Sequence, residues 1–480
     1  MRPRQRISKM FTPSANYCSM KRALYDYDIF PKVFLTGRRK ITIRPLGARP
    51  EFLFGDLCVI SVLEVEKAQE SRYPGTNGGQ TIECSPDEKG TLVFEANFPN
   101  EEMYLIRIAK KENGEVGGCF LELRVYALAE DMKGRYPFRG DLHMHTCRSD
   151  GHETPAVVAA NYRGHGYDFT VISDHHRYYP SLEARDALRI EDNNGNETSA
   201  LTDFLVVPGE EVHLPFNPVH YVNFGGRFSI NALITPTREA NEDKFRRSID
   251  GNDPETLTSE QFAETIRKEA ESVPRQIESE RMSFAVAKWI YEQQKKAGGI
   301  GIYPHPYWLC CTMQLSEDFA RYIYGEHPFD AFEVLGGESY YQHNGFQTAF
   351  YYEEKAKGID YPVVGSTDSH GSTEHNRNAL IASTIVFAEA NTTSALCDSI
   401  RKKYSVAVDS ISPEYRLVGD FRFVKFGSFL LEEWYPLHDL ACKAEGYYLK
   451  EFVNGDPEAE KVLLAMKGQL PRMFRKYFEV

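Results

Sequence analysis

The chain has 480 residues, more than one ordinary compact domain holds, so two or three domains are expected. Its 56 basic and 69 acidic residues leave a net charge of -13, which argues against a general nucleic-acid-coating surface. A small anionic substrate stays open, because bound divalent ions can reverse the local sign.

Nine cysteines are scattered along the chain and form no CxxC pair, so no thiolate zinc site is expected and a reducing, cytoplasmic compartment is the simplest reading. The basic first residues are not followed by an apolar stretch of the secretory kind. No run of about 18 apolar residues occurs, so no membrane span or membrane partner is expected.

Residues 1–25 read as a basic lead-in. From 26 to 130 the chain alternates apolar and polar residues in short runs, as in Lys40-Ile41-Thr42-Ile43-Arg44, Leu57 to Val62, Gly90 to Glu95, Met103 to Ile108 and Phe120 to Val125. That period suits half-buried antiparallel strands separated by turns such as Tyr73 to Gly79, and predicts a small β-sandwich.

The pattern changes near residue 135. Apolar runs at Phe169–Ile172, Phe204–Val207, Tyr221–Phe224, Ile300–Tyr303, Ala331–Val334, Tyr361–Val364 and Ser383–Phe387 alternate with helical stretches. Such alternation predicts an α/β domain over 136–410, with a parallel sheet or barrel. A charged, mostly helical insertion is expected over 228–297, ending in a helix from Phe284 to Lys296 and long enough to cap a site. Residues 411–480 read as a helical C-terminal extension whose Trp and Tyr residues serve packing.

Histidines carry the chemistry. A large share of the 14 follow strand runs beside Asp, Gly or Pro, where α/β folds gather reactive groups. His143 and His145 are two apart, a spacing that puts both on one side of an extended segment. Asp150 follows in a Ser-Asp-Gly turn, and His175 ends Ile172-Ser173-Asp174-His175. Glu211 ends Pro208-Gly209-Glu210-Glu211, and His220 opens the next strand. His305 lies between two prolines, and Asp368 and His370 repeat the spacing of two.

These are nine candidate ligands, six imidazoles and three carboxylates. Nitrogen and oxygen donors without thiolate suit Zn, Mn or Fe. Nine exceed the need of one tetrahedral ion and suffice for two or three if a carboxylate bridges. An HxH pair alone is more often structural; its joint occurrence with the other pieces, in this order at strand ends, is what points to metal.

Asp141-Leu142-His143-Met144-His145-Thr146 with Ser149-Asp150-Gly151 resembles the first motif of the PHP (polymerase and histidinol phosphatase) superfamily. Ser173-Asp174-His175, Gly209-Glu210-Glu211, Pro304-His305-Pro306 and Ser366-Thr367-Asp368-Ser369-His370 resemble its later motifs. The resemblance covers about residues 138–410. An N-terminal β domain running into Tyr136-Pro137-Phe138-Arg139-Gly140-Asp141 resembles the carbaryl-hydrolase-like branch.

The resemblance implies a distorted seven-stranded β/α barrel holding two to three divalent transition-metal ions. One ion would take His143, His145, Asp368 and a bridging Glu211. A second would take Glu211, His220 and His305. A third would take Asp150, His175 and His370. The chain departs from the family in having His176 after His175, Phe332 to Gly337 in place of the usual Asn-ending strand, and a longer insertion before His305.

The function expected is metal-dependent hydrolysis by a metal-activated water, chiefly of a phosphomonoester or nucleotide end. A carbamate or carboxylic ester hydrolase on the same metals is the alternative. A 5′-3′ exonuclease and a non-catalytic module are further readings; the acidic balance leans against the first, the full ligand set against the second. The substrate expected is small, anionic or an ester, and not extended nucleic acid. Asp174 and Asp141 flank ligands and are candidates to orient imidazoles. Arg148, Arg177 and Arg377 are candidate oxyanion clamps, each weighed against an ordinary surface arginine. His176 is a candidate proton donor.

Overall fold

Strict alternation is clearest in Leu92–Phe98, where every second residue is buried and those between are exposed. The pattern is that of a strand with one face on a core and the other in water. The computed structural model describes residues 24–47, 57–67, 79–191, 197–235, 246–338, 341–373, 380–411 and 416–480. The turn expected at Tyr73 to Gly79 lies outside them except for Gly79, and of the basic lead-in only residues 24 and 25 fall within them.

The chain divides into two compact units. The first comprises residues 1–134, 429–434 and 471–480. Tyr27–Phe30, Gly37–Pro45 and Leu92–Phe98 form a three-stranded antiparallel sheet. A six-stranded sheet runs in the order Phe478–Glu479, Val33–Leu35, Glu115–Leu128, Glu102–Glu112, Cys58–Glu64, Gln80–Cys84. Both sheets feed one apolar cluster, with Ile41, Ile43 and Phe94 from the first and Ile60, Ile106 and Val125 from the second.

The second unit comprises residues 135–428 and 435–470 and mixes strands with helices. One sheet has the order Leu205–Val207, Phe169–Val171, Tyr136–Asp141, Ala382–Ala388, Ser405–Asp409, Arg416–Gly419. Its first three strands are parallel and the rest pair antiparallel. The other has the order Gly209–Val212, Tyr221–Phe224, Ile300–Tyr303, Ala331–Leu335, Val363–Gly365, antiparallel at first and parallel from Ile300 onward.

In the second unit, strand pairing among the described residues gives these two larger sheets, three two-stranded ones and no closed seven-stranded ring. Two isolated parallel bridges link the two larger sheets, His175 to Glu211 and Met144 to Ser369. His175, Met144 and Ser369 lie just past strand ends and Glu211 lies within Gly209–Val212, so the two sheets meet where the candidate ligands are.

Two expectations about helices change. The 228–297 segment is not a detached cap, because its helix Glu278–Ala297 buries Phe284, Val286 and Ile290 in the same core as Tyr303 and Phe332. That apolar face makes the helix a layer of the unit. Residues 411–480 are not a separate appendage either. Arg416–Gly419 extends a sheet of the second unit, and Phe478–Glu479 pairs with Val33–Leu35 in the first. The helix Tyr435–Val453 packs on Pro155–Gly164, with Gly446 against Gly164 so closely that a Cβ at Gly446 would meet backbone. Buried Arg163 pairs with Glu445 across the same contact, 2.5 Å apart. Among the described residues no helix is long and apolar enough to cross a membrane.

Candidate metal centre

The residues His143 and His145 follow directly on the Tyr136–Asp141 strand. Met144 between them makes the bridge to Ser369 and points into an apolar cluster, so the two imidazoles emerge together on the opposite side. Gly151 closes the following turn. A Cβ there would come within 2.7 Å of the His145 carbonyl, so the turn needs glycine.

Alternation also sorts the two adjacent glutamates of Gly209–Val212. Buried Glu210 accepts hydrogen bonds from Ser229 Oγ at 2.8 Å, Asn231 Nδ2 at 2.9 Å and the Ile230 N–H. Glu211 faces the other way, into the histidines. Its Oε1 is 2.8 Å from His220 Nδ1 and 3.5 Å from His305 Nε2. Its Oε2 is 2.6 Å from His175 Nδ1, 3.2 Å from His213 Nε2, and 3.5 Å from Nε2 of both His143 and His145.

Asp368 closes the cluster from the far end of the domain. Its Oδ1 is 2.9 Å from His145 Nε2 and 3.3 Å from His143 Nε2, and its Oδ2 is 3.8 Å from His305 Nε2. At the more open edge, Asp150 lies 3.6 Å from His175 Nε2 and 3.4 Å from His370 Nε2. All nine residues singled out by spacing thus converge in one place. Groups of donor atoms close enough to share an ion include His143, His145 and Asp368; His143, Glu211 and His305; and His145, Asp150, His175 and His370.

Metal ions fit this donor set. Both Glu211 oxygens, His143 Nε2 and His220 Nδ1 are buried and make no aligned hydrogen bond, although they face one another at short range. Buried polar groups left so are costly, and a shared cation satisfies them at once.

Charge is arranged accordingly. Burial pushes the Glu211 carboxyl up, but His220, His175, His213 and His143 override it and hold it well below the usual carboxylate range. Burial likewise opposes ionisation of Asp368, yet His143, His145 and His305 keep its carboxyl far below normal. Burial, then the neighbouring His175, push His145 down to about 3. Burial lowers His370, but Asp150 and Glu338 raise it to about 10.

The side chains expected to assist play other parts. Asp174 accepts from Thr146 N–H at 2.9 Å, Thr146 Oγ1 at 2.7 Å and Ser149 N–H at 3.0 Å, so it shapes the ligand-bearing turn and touches no imidazole there. Asp141 accepts from Thr367 N–H at 3.0 Å, Thr367 Oγ1 at 2.6 Å and the His143 N–H at 3.2 Å, tying two ligand segments by their backbones. Arg148, a candidate oxyanion clamp, donates to Glu183 through Nε at 2.9 Å and Nη2 at 2.6 Å. Arg177 is half-buried beside Tyr179, and Arg377 lies outside the described residues. Desolvation, His213 and His175 push the His176 imidazole down to about 4.

Three residues escaped the sequence reading. Glu333 Oε2 accepts from His143 Nδ1 at 3.1 Å, leaving His143 Nε2 to face Glu211 and Asp368. Glu338 lies 3.3 Å from His370 Nδ1. His213 is two residues beyond Glu211, the same spacing that singled out His143 and His145. A second group, Asp168, His438 and Cys442, is buried in the same unit. There the polar atoms satisfy one another, with His438 Nε2 2.8 Å from Asp168 and Nδ1 2.9 Å from Asp439.

Searches of protein-family models and of curated proteins find no match. Among solved structures, the chain matches a two-domain protein from Bacteroides vulgatus containing a predicted PHP-like metal-dependent phosphoesterase. The identity is 15%, covering 57% of this chain and 65% of that one, with a TM-score of 0.33. It matches a chain from Bifidobacterium adolescentis assigned as a metal-dependent phosphoesterase, at 18% identity over 55% of this chain and 94% of that one, TM-score 0.30. It also matches an amidohydrolase from Chromobacterium violaceum, at 15% identity over 49% and 89%, TM-score 0.30. It spans just under two thirds of the length of the first of these.

Proposed function

We propose that the chain is a PHP-type metal-dependent hydrolase with a multinuclear centre, acting as a phosphoesterase on a phosphomonoester or nucleotide end. The observation that carries the reading is Glu211, whose two oxygens face six imidazoles at 2.6 to 3.5 Å with no aligned hydrogen bond. The two sheets linked at their strand ends are read as a distorted, incompletely paired barrel, and the first unit as a β-sandwich.

The ligands would be His143, His145 and Asp368 for one ion and His220 and His305 for a second, with Glu211 between them, and Asp150, His175 and His370 for a third. The donors are those that suit Zn, Mn or Fe. Divalent ions held there would supply Lewis acidity toward a phosphoryl or carbonyl oxygen and would lower the pKa of a bound water.

The chain's own residues set the orientation. Glu333 Oε2 and the Gln314 side-chain Oε1 accept from Nδ1 of His143 and His305 at 3.1 and 3.2 Å, so Nε2 of each faces the carboxylates. Burial of His143, His145, Glu211 and Asp368 keeps bulk water from the deep side, while exposed Asp150 marks the side open to substrate.

A second reading is hydrolysis of a carbamate or carboxylic ester. Divalent ions on the same donors would polarise a carbonyl oxygen as they would a phosphoryl oxygen, and Arg148, one candidate for an anion contact, is held by Glu183 at 2.6 Å.

The test is a hydrolysis panel on protein loaded with Mn or Zn, covering aryl phosphates, nucleoside 3′,5′-bisphosphates, short oligonucleotides and aryl carbamates. Turnover confined to phosphate esters supports the first reading, and turnover of carbamates alone replaces it with the second. Metal analysis giving fewer than one ion per chain would refute both.

A further inference from the structure

Resting on that metal reading, we infer that His213 is a tenth metal ligand, which joins His175 Nδ1 and Glu211 Oε2 in a group of its own. The three donor atoms form a small triangle. His175 Nδ1 to Glu211 Oε2 is 2.6 Å, His213 Nε2 to Glu211 Oε2 is 3.2 Å, and His175 Nδ1 to His213 Nε2 is 2.9 Å. Ligands about 2.0–2.2 Å from a tetrahedral ion lie roughly 3.3–3.6 Å apart, so only a small outward movement of each donor separates the triangle from one face of a coordination sphere.

The placement of His213 is built. Its backbone N–H donates to Asn231 Oδ1 at 3.0 Å, and Asn231 Nδ2 donates to the Glu211 carbonyl at 3.0 Å and to Glu210 Oε2 at 2.9 Å. One asparagine therefore fixes the backbones of both Glu211 and His213. Two residues apart along an extended segment, they project to the same side. The His213 ring is further held by His220, with centroids 4.0 Å apart, and by His176 at 4.8 Å.

Ordinary hydrogen bonding pairs the two imidazoles and leaves Glu211 Oε2 unsatisfied. At most one proton lies between His175 Nδ1 and His213 Nε2, and Glu211 Oε2 makes no aligned hydrogen bond despite four imidazoles around it. A cation inside the triangle satisfies all three atoms. His175 then stands between two groups, with Nδ1 toward Glu211 and His213 and Nε2 3.6 Å from Asp150.

The test uses the full chain, stripped by chelator and titrated with Co(II) alone, in three forms: wild type, His213→Ala and His213→Cys. In His213→Ala, one ion should bind at least about tenfold more weakly while the others are retained. In His213→Cys, a thiolate-to-cobalt charge-transfer band should appear in the near ultraviolet that the wild type lacks, whose own exposed Cys147 and Cys311 serve as the control. Circular dichroism checks the fold of each variant, and the cysteine form reads coordination even if the alanine form is unstable. A wild type that takes up cobalt, with an unchanged titration in His213→Ala and no new band in His213→Cys, overturns the assignment of His213 alone. A wild type that takes up no cobalt overturns the metal reading and this inference together.

Discussion

Glu210 and Glu211 are adjacent in sequence and buried, yet their carboxylates lie on opposite sides of one strand, one among backbone and amide donors and the other among imidazoles. Substitutions at the two positions should therefore read out differently. Glu211→Gln should weaken binding of at least one ion by more than about 100-fold, beyond the usual cost of losing an outer partner, while the thermal transition of the metal-free protein stays near wild type. Glu210→Ala should retain ligand chemistry and lose about 3 kcal/mol of stability, because Ser229, Asn231 and Ile230 are left with unpaired donors. Isothermal metal titration and denaturant unfolding separate the two, and equal effects at both positions would contradict the division.

Glu333 reaches His143 across 190 positions of sequence and accepts from its Nδ1. Glu333→Gln should lower metal affinity by about 10- to 100-fold with circular dichroism unchanged. Unaltered affinity would mean that His143 needs no such partner.

Arg148 holds Glu183 in a two-point contact between half-exposed side chains. Exposed pairs of this kind contribute about 0–1 kcal/mol. Arg148→Ala should leave stability almost unchanged and kcat/KM within about twofold. A loss above about tenfold on phosphate esters with no loss of stability would restore its role as an anion clamp.

The buried His438 network makes stability depend on pH. Burial opposes the charged imidazole, but Asp168 raises it well above its usual value, and burial of Asp168 is in turn overcome by His438. A raised histidine stabilises the fold fully below its unfolded value of about 6.5, and the contribution fades as pH rises through the folded value. A depressed carboxylate loses its contribution as pH falls below its unfolded value of about 3.9. His438→Gln should therefore cost about 3 kcal/mol near neutral pH, with the deficit shrinking in alkali, as followed by thermal unfolding across pH. A deficit that grows with pH would contradict the assignment.

Much of the local structure was legible before any coordinates. The apolar runs at 221–224, 300–303 and 383–387 fall on strands, as does 169–172 up to Val171, because period and β-branched composition are properties of a few neighbouring residues. The strands Tyr136–Asp141 and Gly209–Val212 escaped the same reading, since Pro137 and Gly140 interrupt one and paired glutamates occupy the other. His213 could have been found by the spacing already applied to His143 and His145. Glu333 could not, because nothing near it in sequence names His143 as its partner.

Sequence alone determined which residue types stand at strand ends and at what spacing: His143 with His145, Asp368 with His370, and Glu211 after a strand. Alternation then dictates which neighbours share a side, a rule that operates over two residues. Tertiary structure decided everything that depends on strand order and register. It brought Asp368 to His145 and Glu333 to His143, turned Asp174 toward Thr146, occupied Arg148 with Glu183, and divided residues 416–480 between two units. The reason is that a short-range period has no information about which distant strand lies alongside. That choice is made by burying whole apolar faces together, and the ligands follow the strands that carry them.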